Sequence, residues 1–287
     1  MNLTFKSHLD NGAFTPNMNA TFIINSSCLA VAALSVASSA RANPRPLPYT
    51  YPYETLSAEE MEIEQYVDIT PVRIEDPEAP ATGRLWDQRY VLQTELEYGI
   101  TDRLELGLYL VFGNDAGGSL AFDGVKQRLR LRLAEQGEWP IDVALYGELA
   151  EFHDEFEIEE KLILQKRFDR IRLMTNIWFE QELERYEGEL ELIFHPTFGV
   201  TGEITPNWHL GAEYWAVGKF ENEGTPGTVD HFNDSFHHYV GPAVSLQFGK
   251  FWWSTAAYLR LDGMSRTSEP GEKYGHLWVR TVLGLAL

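Results

Sequence analysis

One segment near the middle of the chain alternates basic side chains with mostly apolar ones. Lys126, Arg128, Arg130 and Arg132 take every second position. Residues two apart in a β-strand share a face, so these four side chains would form a basic ladder. Carboxylates recur with the same alternation on other segments, at Glu95, Glu97, Glu105, Asp142, Glu148, Glu157 and Glu159. Opposed rows of fixed charge can tune the ion selectivity of a pore, and the same rows can form salt bridges that brace its wall.

The elements that must position these charges also have a period of two residues. Leu104, Leu106, Leu108 and Leu110 show it over one short stretch. The alternation predicts strands rather than helices after residue 57. Twelve segments are predicted as strands, most of them close to the roughly 9–11 residues that a tilted strand needs to cross a bilayer. They cover residues 60–69, 87–99, 104–112, 125–135, 141–152, 156–168, 170–184, 189–200, 208–220, 237–248, 251–261 and 275–287.

The predicted connections alternate in length. Every second one is a short turn, as at residues 100–103 and 249–250, and most of the others are longer, as at 70–86, 221–236 and 262–274. Short turns at one rim and long loops at the other are typical of bacterial outer-membrane barrels. We therefore predict an all-β fold, a transmembrane antiparallel up-and-down β-barrel of about twelve strands with short periplasmic turns and longer extracellular loops. A secreted soluble β protein with its apolar faces packed inward is the alternative.

One hairpin carries a resemblance to a known group of proteins. The run YGITDRLELGL, from Tyr98 to Leu108, resembles the periplasmic hairpins of bacterial outer-membrane β-barrels, and in particular porin-like families such as the phenol-degradation meta-pathway-type proteins. The resemblance covers this hairpin only. It implies a channel or transporter in the outer membrane of a Gram-negative bacterium. The final residue, Leu287, departs from the terminal aromatic residue that is usual in such barrels.

The first residues indicate export and divide the chain into three parts. An apolar stretch leads to Ala40-Arg41-Ala42, which fits a secretory cleavage site after Ala42. We predict a cleaved signal peptide at 1–42, with translation starting at Met1 or Met18. Residues 43–57 (NPRPLPYTYPYETLS) are rich in proline and tyrosine and are expected to be extended, either inside the lumen as a plug or in the periplasm. The barrel is predicted at 58–287.

Composition limits the partners and cofactors. The chain has 43 acidic and 23 basic residues, a net charge of −20, which argues against nucleic acid as a partner because phosphate binding needs a basic surface. The only cysteine, Cys28, excludes a disulfide framework and a cysteine-rich zinc site. No glycine-rich phosphate loop joins a strand to a helix. We expect membrane lipid and a small solute as partners, and no cofactor; the oligomeric state is left open.

The histidines and one serine are candidates for alternative sites. His231, His237 and His238 lie near Asp230 and Asp234, but their spacing matches no metal-ligand pattern, so we expect solvated loop residues and no metal.

His195 and His209 could approach each other on neighbouring strands. Ser235 and His237 could form part of a hydrolase site on one strand face, although no third group orients them. We expect no catalytic residues.

These observations favour one function over two others. The leading hypothesis is a narrow channel or transporter for small solutes, whose lumen carries the basic ladder and the carboxylates. The first alternative is a non-conducting structural or surface-binding barrel. The second is a barrel hydrolase.

Overall fold

The computed structural model describes residues 43–75, 84–114, 118–186, 190–221, 231–232, 236–261 and 275–287. The predicted signal peptide and most of the long connections lie outside these ranges. Every regular element within them is a β-strand. Across the same residues, no helix is long and apolar enough to span a membrane.

The strands follow one another along the chain with short interruptions. Their bounds are β1 Met61–Glu75, β2 Arg84–Gly99, β3 Leu104–Gly113, β4 Ala121–Arg132, β5 Asp142–Phe152, β6 Glu155–Phe168, β7 Ile171–Glu184, β8 Leu190–Phe194, β9 Thr197–Thr205, β10 Trp208–Glu221, β11 His231–Phe232, β12 His237–Phe248, β13 Phe251–Arg260 and β14 Leu277–Ala286.

Antiparallel pairing closes these strands into a barrel. Each wall strand pairs with its neighbours in the sequence, and β14 pairs with β1 through eight residue pairs from Glu62–Ala286 to Ile69–Val279. The segments β8 and β9 together form one wall strand between β7 and β10, while β11 pairs only with the end of β10. The described residues therefore form a closed barrel of twelve wall strands, which confirms the predicted fold class.

The interruption between β8 and β9 has a local cause. The regular strand is interrupted at His195 and Pro196 and resumes at Thr197, although the His195 N–H still donates to the Trp178 carbonyl and the Pro196 carbonyl accepts from the Ala216 N–H. Proline has no N–H to donate to a neighbouring strand, so it occurs where a ladder is broken. The wall strand continues past this point because Thr197–Thr205 pairs with both β7 and β10.

Several strand limits differ from the prediction; β4, for example, spans Ala121–Arg132 instead of 125–135. The first hairpin is longer, because β1 continues to Glu75 and β2 begins at Arg84. Pro71 and nearby charged residues obscure the alternation there, so the predicted connection at 70–86 was too long. The eighth wall strand reaches Thr205 instead of residue 200, where glycine and polar residues had suggested a turn.

The two faces of the wall have opposite character. Leu108, Leu110 and Leu145 point outward with exposed fractions of 47%, 50% and 44%, while Glu95 and Glu105 point inward and are fully buried. A soluble barrel would reverse this arrangement. The outer face is therefore the apolar belt of a membrane barrel, with exposed aromatic side chains such as Trp208, Phe248 and Phe251 at the ends of strands.

A matched pair of substitutions tests this orientation. Leu108 lies near the middle of β3, whereas Leu131 lies next to the turn after β4, and both are exposed (47% and 39%). Arginine at a lipid-facing position costs about 2–4 kcal/mol at the bilayer midplane and about 0–1 kcal/mol near the interface. Leu108→Arg should therefore lower the free energy of unfolding in lipid vesicles, measured by urea titration, far more than Leu131→Arg. Equal losses for the two variants would contradict a membrane-embedded belt.

Candidate functional site

The inward face of the barrel holds nearly all of the charged residues singled out in the sequence. Lys126 and Arg132 are largely covered, with side-chain exposures of 13% and 14%. The others are buried: Arg128, Arg130, Glu95, Glu97, Glu105, Asp142, Glu148, Glu157 and Glu159. The candidate site is therefore the lumen itself.

Arg128 is the centre of the first group, which we call the arginine cluster (Arg128, Arg130, Glu95, Glu97 and Glu105). Its Nε donates to Glu95 Oε1 at 2.7 Å, its Nη1 donates to Glu105 Oε1 at 2.6 Å, and its Nη2 donates to Glu97. Arg130 Nη2 donates to the same Glu105 oxygen at 2.7 Å. All five side chains are buried, so each charge depends on these partners for its solvation.

The arginine cluster depends on a glycine in the strand between its members. Arg128 lies opposite Gly107 of β3, and Glu97 of β2 lies opposite Gly107 on the other side. A Cβ at Gly107 would stand 2.3 Å from Glu95 Oε1 and 2.7 Å from Arg128 Nε. The missing side chain lets the guanidinium of Arg128 cross β3 and reach the carboxylates of β2.

Lys126 is the centre of a second group, the lysine cluster (Lys126, Lys161, Glu148, Glu157 and Glu159). Its Nζ lies 3.0 Å from Glu148, 3.7 Å from Glu157 and 3.5 Å from Glu159. Lys161 contacts Glu159 and lies 3.8 Å from the centre of the Trp178 ring. The lysine cluster thus links β4, β5 and β6 along the wall.

Two predicted members of the charged lumen bind elsewhere. Arg132 donates to the carbonyl oxygen of Asp102 in the β2–β3 turn and lies 3.6 Å from Glu135 in the β4–β5 turn. It therefore holds these two turns together. Asp142 accepts from the backbone N–H of Gly137 at 2.6 Å and holds the β4–β5 turn. Both residues lie at strand ends. There the side chains still alternate between the two faces of the strand, but those on the inner face meet the turns and not the lumen.

Residues 43–57, the N-terminal segment, lie inside the barrel. Leu47, Tyr49 and Tyr53 are 0%, 3% and 0% exposed. No strand pairing holds the segment; its backbone N–H groups donate to side chains of the wall instead. These bonds are Asn43 to Glu62 (3.0 Å), Tyr49 and Thr50 to Glu213 (3.1 and 2.6 Å), Tyr51 to Asn176 (2.8 Å), Tyr53 to Gln165 (3.2 Å) and Leu56 to Glu105 (2.6 Å).

The wall partners show the path of the segment. Going backwards along the chain from Leu56, they lie on β3, β6, β7, β10 and β1 in turn. Each partner lies within about six residues of the strand end that joins a short turn, as Glu105 does in β3 and Asn176 in β7. The segment therefore passes around and across the lumen in the half nearest the short turns.

Tyr49 has the densest contacts of the segment. Its ring stacks on Trp215 with a centroid distance of 4.5 Å and an interplanar angle of 9°, and its hydroxyl lies 2.9 Å from His195 Nε2. The guanidinium of Arg280 also lies over the Tyr49 ring, with its Cζ 4.4 Å from the ring centroid. Stacked and edge-on aromatic pairs add to the free energy of simple burial.

Arg45 and Leu47 bind the beginning of the segment to the wall. Arg45 lies 3.5 Å from Glu64, donates to Tyr66 and stands 3.8 Å above the centre of the Tyr51 ring. Leu47 packs where Gly199 leaves room, since a Cβ at that glycine would stand 2.1 Å from Leu47 Cδ1. The fit is steric for Leu47 and electrostatic for Arg45.

A cavity of about 180 Å³, the acidic vestibule, lies at the other end of the lumen. Its lining includes five carboxylates against two basic side chains, Lys126 and Arg89. The carboxylates are Asp123, Glu155, Glu157, Glu180 and Glu182. All five lie near the strand ends of the rim opposite the short turns, so the vestibule is on the side opposite the N-terminal segment.

Comparisons with known proteins bear on the fold. No family model and no curated protein match this sequence. Among solved structures, an outer-membrane channel from Pseudomonas putida F1 is 11% identical, with a TM-score of 0.57, over 82% of this chain and 98% of that one. The translocator domain of the autotransporter NalP from Neisseria meningitidis is 10% identical, with a TM-score of 0.46, over 80% and 88%. The chain has the fold of a bacterial outer-membrane β-barrel. The metabolic pathway suggested by the hairpin resemblance stays a prediction.

Sequence reasoning missed several residues that hold the N-terminal segment in this outer-membrane barrel. Asn176 and Gln165 are neutral, so a search for charged side chains passed over them. The segment's own signal was visible, because Arg45, Leu47, Tyr49, Tyr51 and Tyr53 occupy alternate positions. Prolines between them conceal the period and prevent strand pairing. The structure decides between the two predicted locations in favour of the lumen.

The histidine hypotheses have mixed outcomes. His195 and His209 do not approach each other: His195 contacts Tyr49 and Trp178, whereas His209 lies opposite Glu203 and Ser245. The predicted contact was wrong because the register pairs His209 with Glu203 near the start of β10, whereas His195 lies further along the pair, between Phe194 opposite Gly218 and Thr197 opposite Trp215. Ser235, Asp230, Asp234 and the side chain of His231 lie outside the described residues, so the loop-metal and hydrolase hypotheses stay predictions.

Substitution of Arg128 tests how much the arginine cluster contributes to the free energy of unfolding of the barrel. Arg128→Ala would leave three buried carboxylates without their main partner, and breaking a buried ion pair costs about 3–5 kcal/mol. The matched control is Arg103→Ala in the β2–β3 turn. There the exposed Glu135 lies 2.8 Å away and, through its hydrogen bond and charge, raises the pKa of Arg103.

The measurement is the free energy of unfolding in detergent. Surface ion pairs contribute little, so the Arg103 variant should resemble the parent protein. A small loss for Arg128→Ala would mean that the carboxylates find other partners.

Proposed function

We propose that this barrel is an outer-membrane channel for small solutes whose lumen is closed at rest by the N-terminal segment. The observation that carries the proposal is the way the segment is held. Its backbone binds side chains on five different strands and pairs with none of them. A segment held in this manner can leave its place without breaking the ladders of the wall.

The bonds that hold the segment and the ladders that hold the wall differ in energy, and this difference supports independent release of the segment. A single intramolecular hydrogen bond contributes about 0.5–1.5 kcal/mol net, and a bond to a charged group somewhat more. The wall is a cooperative set of long ladders, such as the fifteen residue pairs between β1 and β2. Local openings occur where few contacts must be broken together. No ladder holds the N-terminal segment, so its release would break separate side-chain bonds and ring contacts and leave the ladders of the wall intact.

The lumen also suggests which solutes would enter. The acidic vestibule has an excess of carboxylates facing the long-loop side. Clefts lined by one sign of charge concentrate ions of the opposite sign. A barrel of this size is narrow compared with porins of 16–18 strands, so small cations are the favoured class. The structural likeness to the outer-membrane channel from Pseudomonas putida F1 agrees with this proposal.

A reversible cross-link tests the role of the segment. We suggest Leu47→Cys with Gly199→Cys, in a chain where Cys28→Ser removes the native cysteine, because the Gly199 Cβ position is 3.5 Å from Leu47 Cγ. Planar-bilayer recordings of the oxidised protein should show fewer and smaller conductance steps than those of the reduced protein. The parent protein treated with the same reagents is the control.

Two outcomes of this experiment would count against the proposal. Equal conductance before and after reduction would mean that the segment does not close the pore. An absence of conductance in every form, including a chain lacking residues 43–56, would favour the non-conducting barrel.

A pair of glycine variants gives a second test. Gly199→Ala would place its Cβ 2.1 Å from Leu47 Cδ1, so Leu47 must move, whereas Gly147→Ala meets nothing within 4 Å. We expect Gly199→Ala to raise the open probability in bilayer recordings at least severalfold and Gly147→Ala to leave it unchanged. Both variants should show the same heat-modifiable gel migration as the parent. A larger effect on the open probability from Gly147→Ala than from Gly199→Ala would contradict a role for Leu47 in gating.

A further inference from the structure

Three carboxylates meet in the wall beneath Arg45 in an arrangement that charge alone would disfavour. Glu64, Glu95 and Glu97 each bring one oxygen within 4.8 Å of the others, and their exposures are 1%, 0% and 1%. Glu64 lies directly opposite Glu95, and Glu62 lies directly opposite Glu97. Like charges in directly opposed positions of an antiparallel pair destabilise a sheet.

The surrounding elements supply too few positive charges to balance this group. The N-terminal segment contributes Arg45 and β4 contributes Arg128 and Arg130. Against these three guanidinium groups stand five buried carboxylates, at Glu62, Glu64, Glu95, Glu97 and Glu105. With all five carboxylates ionised, two negative charges would be in excess, and a buried carboxylate is stable only when it is paired, binds a metal or takes up a proton.

One oxygen in this group has no partner. Glu64 Oε2 accepts from Tyr66 and lies 3.5 Å from Arg45, but Glu64 Oε1 is buried and has no hydrogen-bond partner in the described structure. Both oxygens of Glu95, by contrast, accept bonds, from Arg128 at 2.7 Å and from Tyr66 at 2.8 Å. A buried carboxylate oxygen with no donor points to a ligand that the protein chain does not supply.

We propose that Glu64, Glu95 and Glu97 bind a divalent cation, with calcium as the best fit. Two positive charges match the excess negative charge, and hard cations prefer carboxylate oxygens. Calcium accepts an irregular set of six to eight oxygens, whereas magnesium demands near-ideal octahedral geometry. Glu95 and Glu97 are already oriented by Arg128, so an irregular set completed by water suits calcium. The charge balance and the oxygen geometry that support this site do not rest on the proposed gating, although Glu64 also contacts Arg45 of the N-terminal segment.

The acidic vestibule provides the matched control. Glu155, Glu157 and Glu182 also bring three oxygens within 4.8 Å of one another. However, Lys126 lies 3.7 Å from Glu157, and Glu182 already interacts with another group. The same substitution, glutamate to glutamine, can thus be made in a second cluster of three carboxylates on the same barrel.

The test uses the full chain refolded in non-ionic detergent with either calcium chloride or EDTA. Equilibrium dialysis with radioactive calcium gives the stoichiometry, and the thermal midpoint gives the linked stabilisation. We expect one strongly bound calcium per chain and a higher midpoint in calcium for the parent and for Glu182→Gln. Glu64→Gln should weaken this binding at least tenfold and abolish the shift in the midpoint.

Other outcomes would overturn the proposal. If the parent binds no calcium, the excess charge is neutralised by protons on the carboxyl groups. If Glu182→Gln removes the strong binding and Glu64→Gln retains it, the metal belongs to the vestibule. Should Glu64→Gln fail the heat-modifiable migration test for folding, Glu97→Gln serves in its place, and unchanged binding by that variant would refute the site.

Discussion

The pairing of β1 with β14 is the interaction on which the rest of this structure depends. In a bilayer, backbone groups have no water to bind, so every strand of the wall needs a neighbour on both sides. β1 obtains its second neighbour from the last strand of the chain. This closure separates an outer surface that contacts lipid from a lumen that does not. All other features, from the apolar belt to the buried charges, follow from that separation.

The interior then has to solvate its own charges. Arg128 does so by crossing β3 at Gly107, where a side chain would occupy the space of its guanidinium. The N-terminal segment uses the same wall, since Glu105 accepts from Arg128 and Arg130 and also from the backbone of Leu56. The charges that brace the barrel and the contacts that hold the segment are therefore shared. A change in one is expected to affect the other.

Period-two patterning was sufficient to predict the strands, the closure and the faces, because burial on one side of a strand imposes alternation. It could not predict partners that depend on register. Direct cross-strand pairing would join Arg128 of β4 to carboxylates of β3 and β5, but two of its partners, Glu95 and Glu97, lie on β2, one strand further away. The contact between His195 and His209 failed for the same reason. The location of the N-terminal segment could not be predicted from the sequence. Its prolines prevent strand pairing, and wall side chains that are distant in the sequence determine where it lies.

Both ends of the N-terminal segment lie at the same end of the barrel. Asn43 donates to Glu62, the second residue of β1, and Glu59, just after the segment, donates to Gly99 at the end of β2. The segment therefore enters and leaves the lumen at the rim of the short turns. Under the proposed gating, the barrel would open from that rim, and the acidic vestibule at the opposite rim would keep its carboxylates in place throughout.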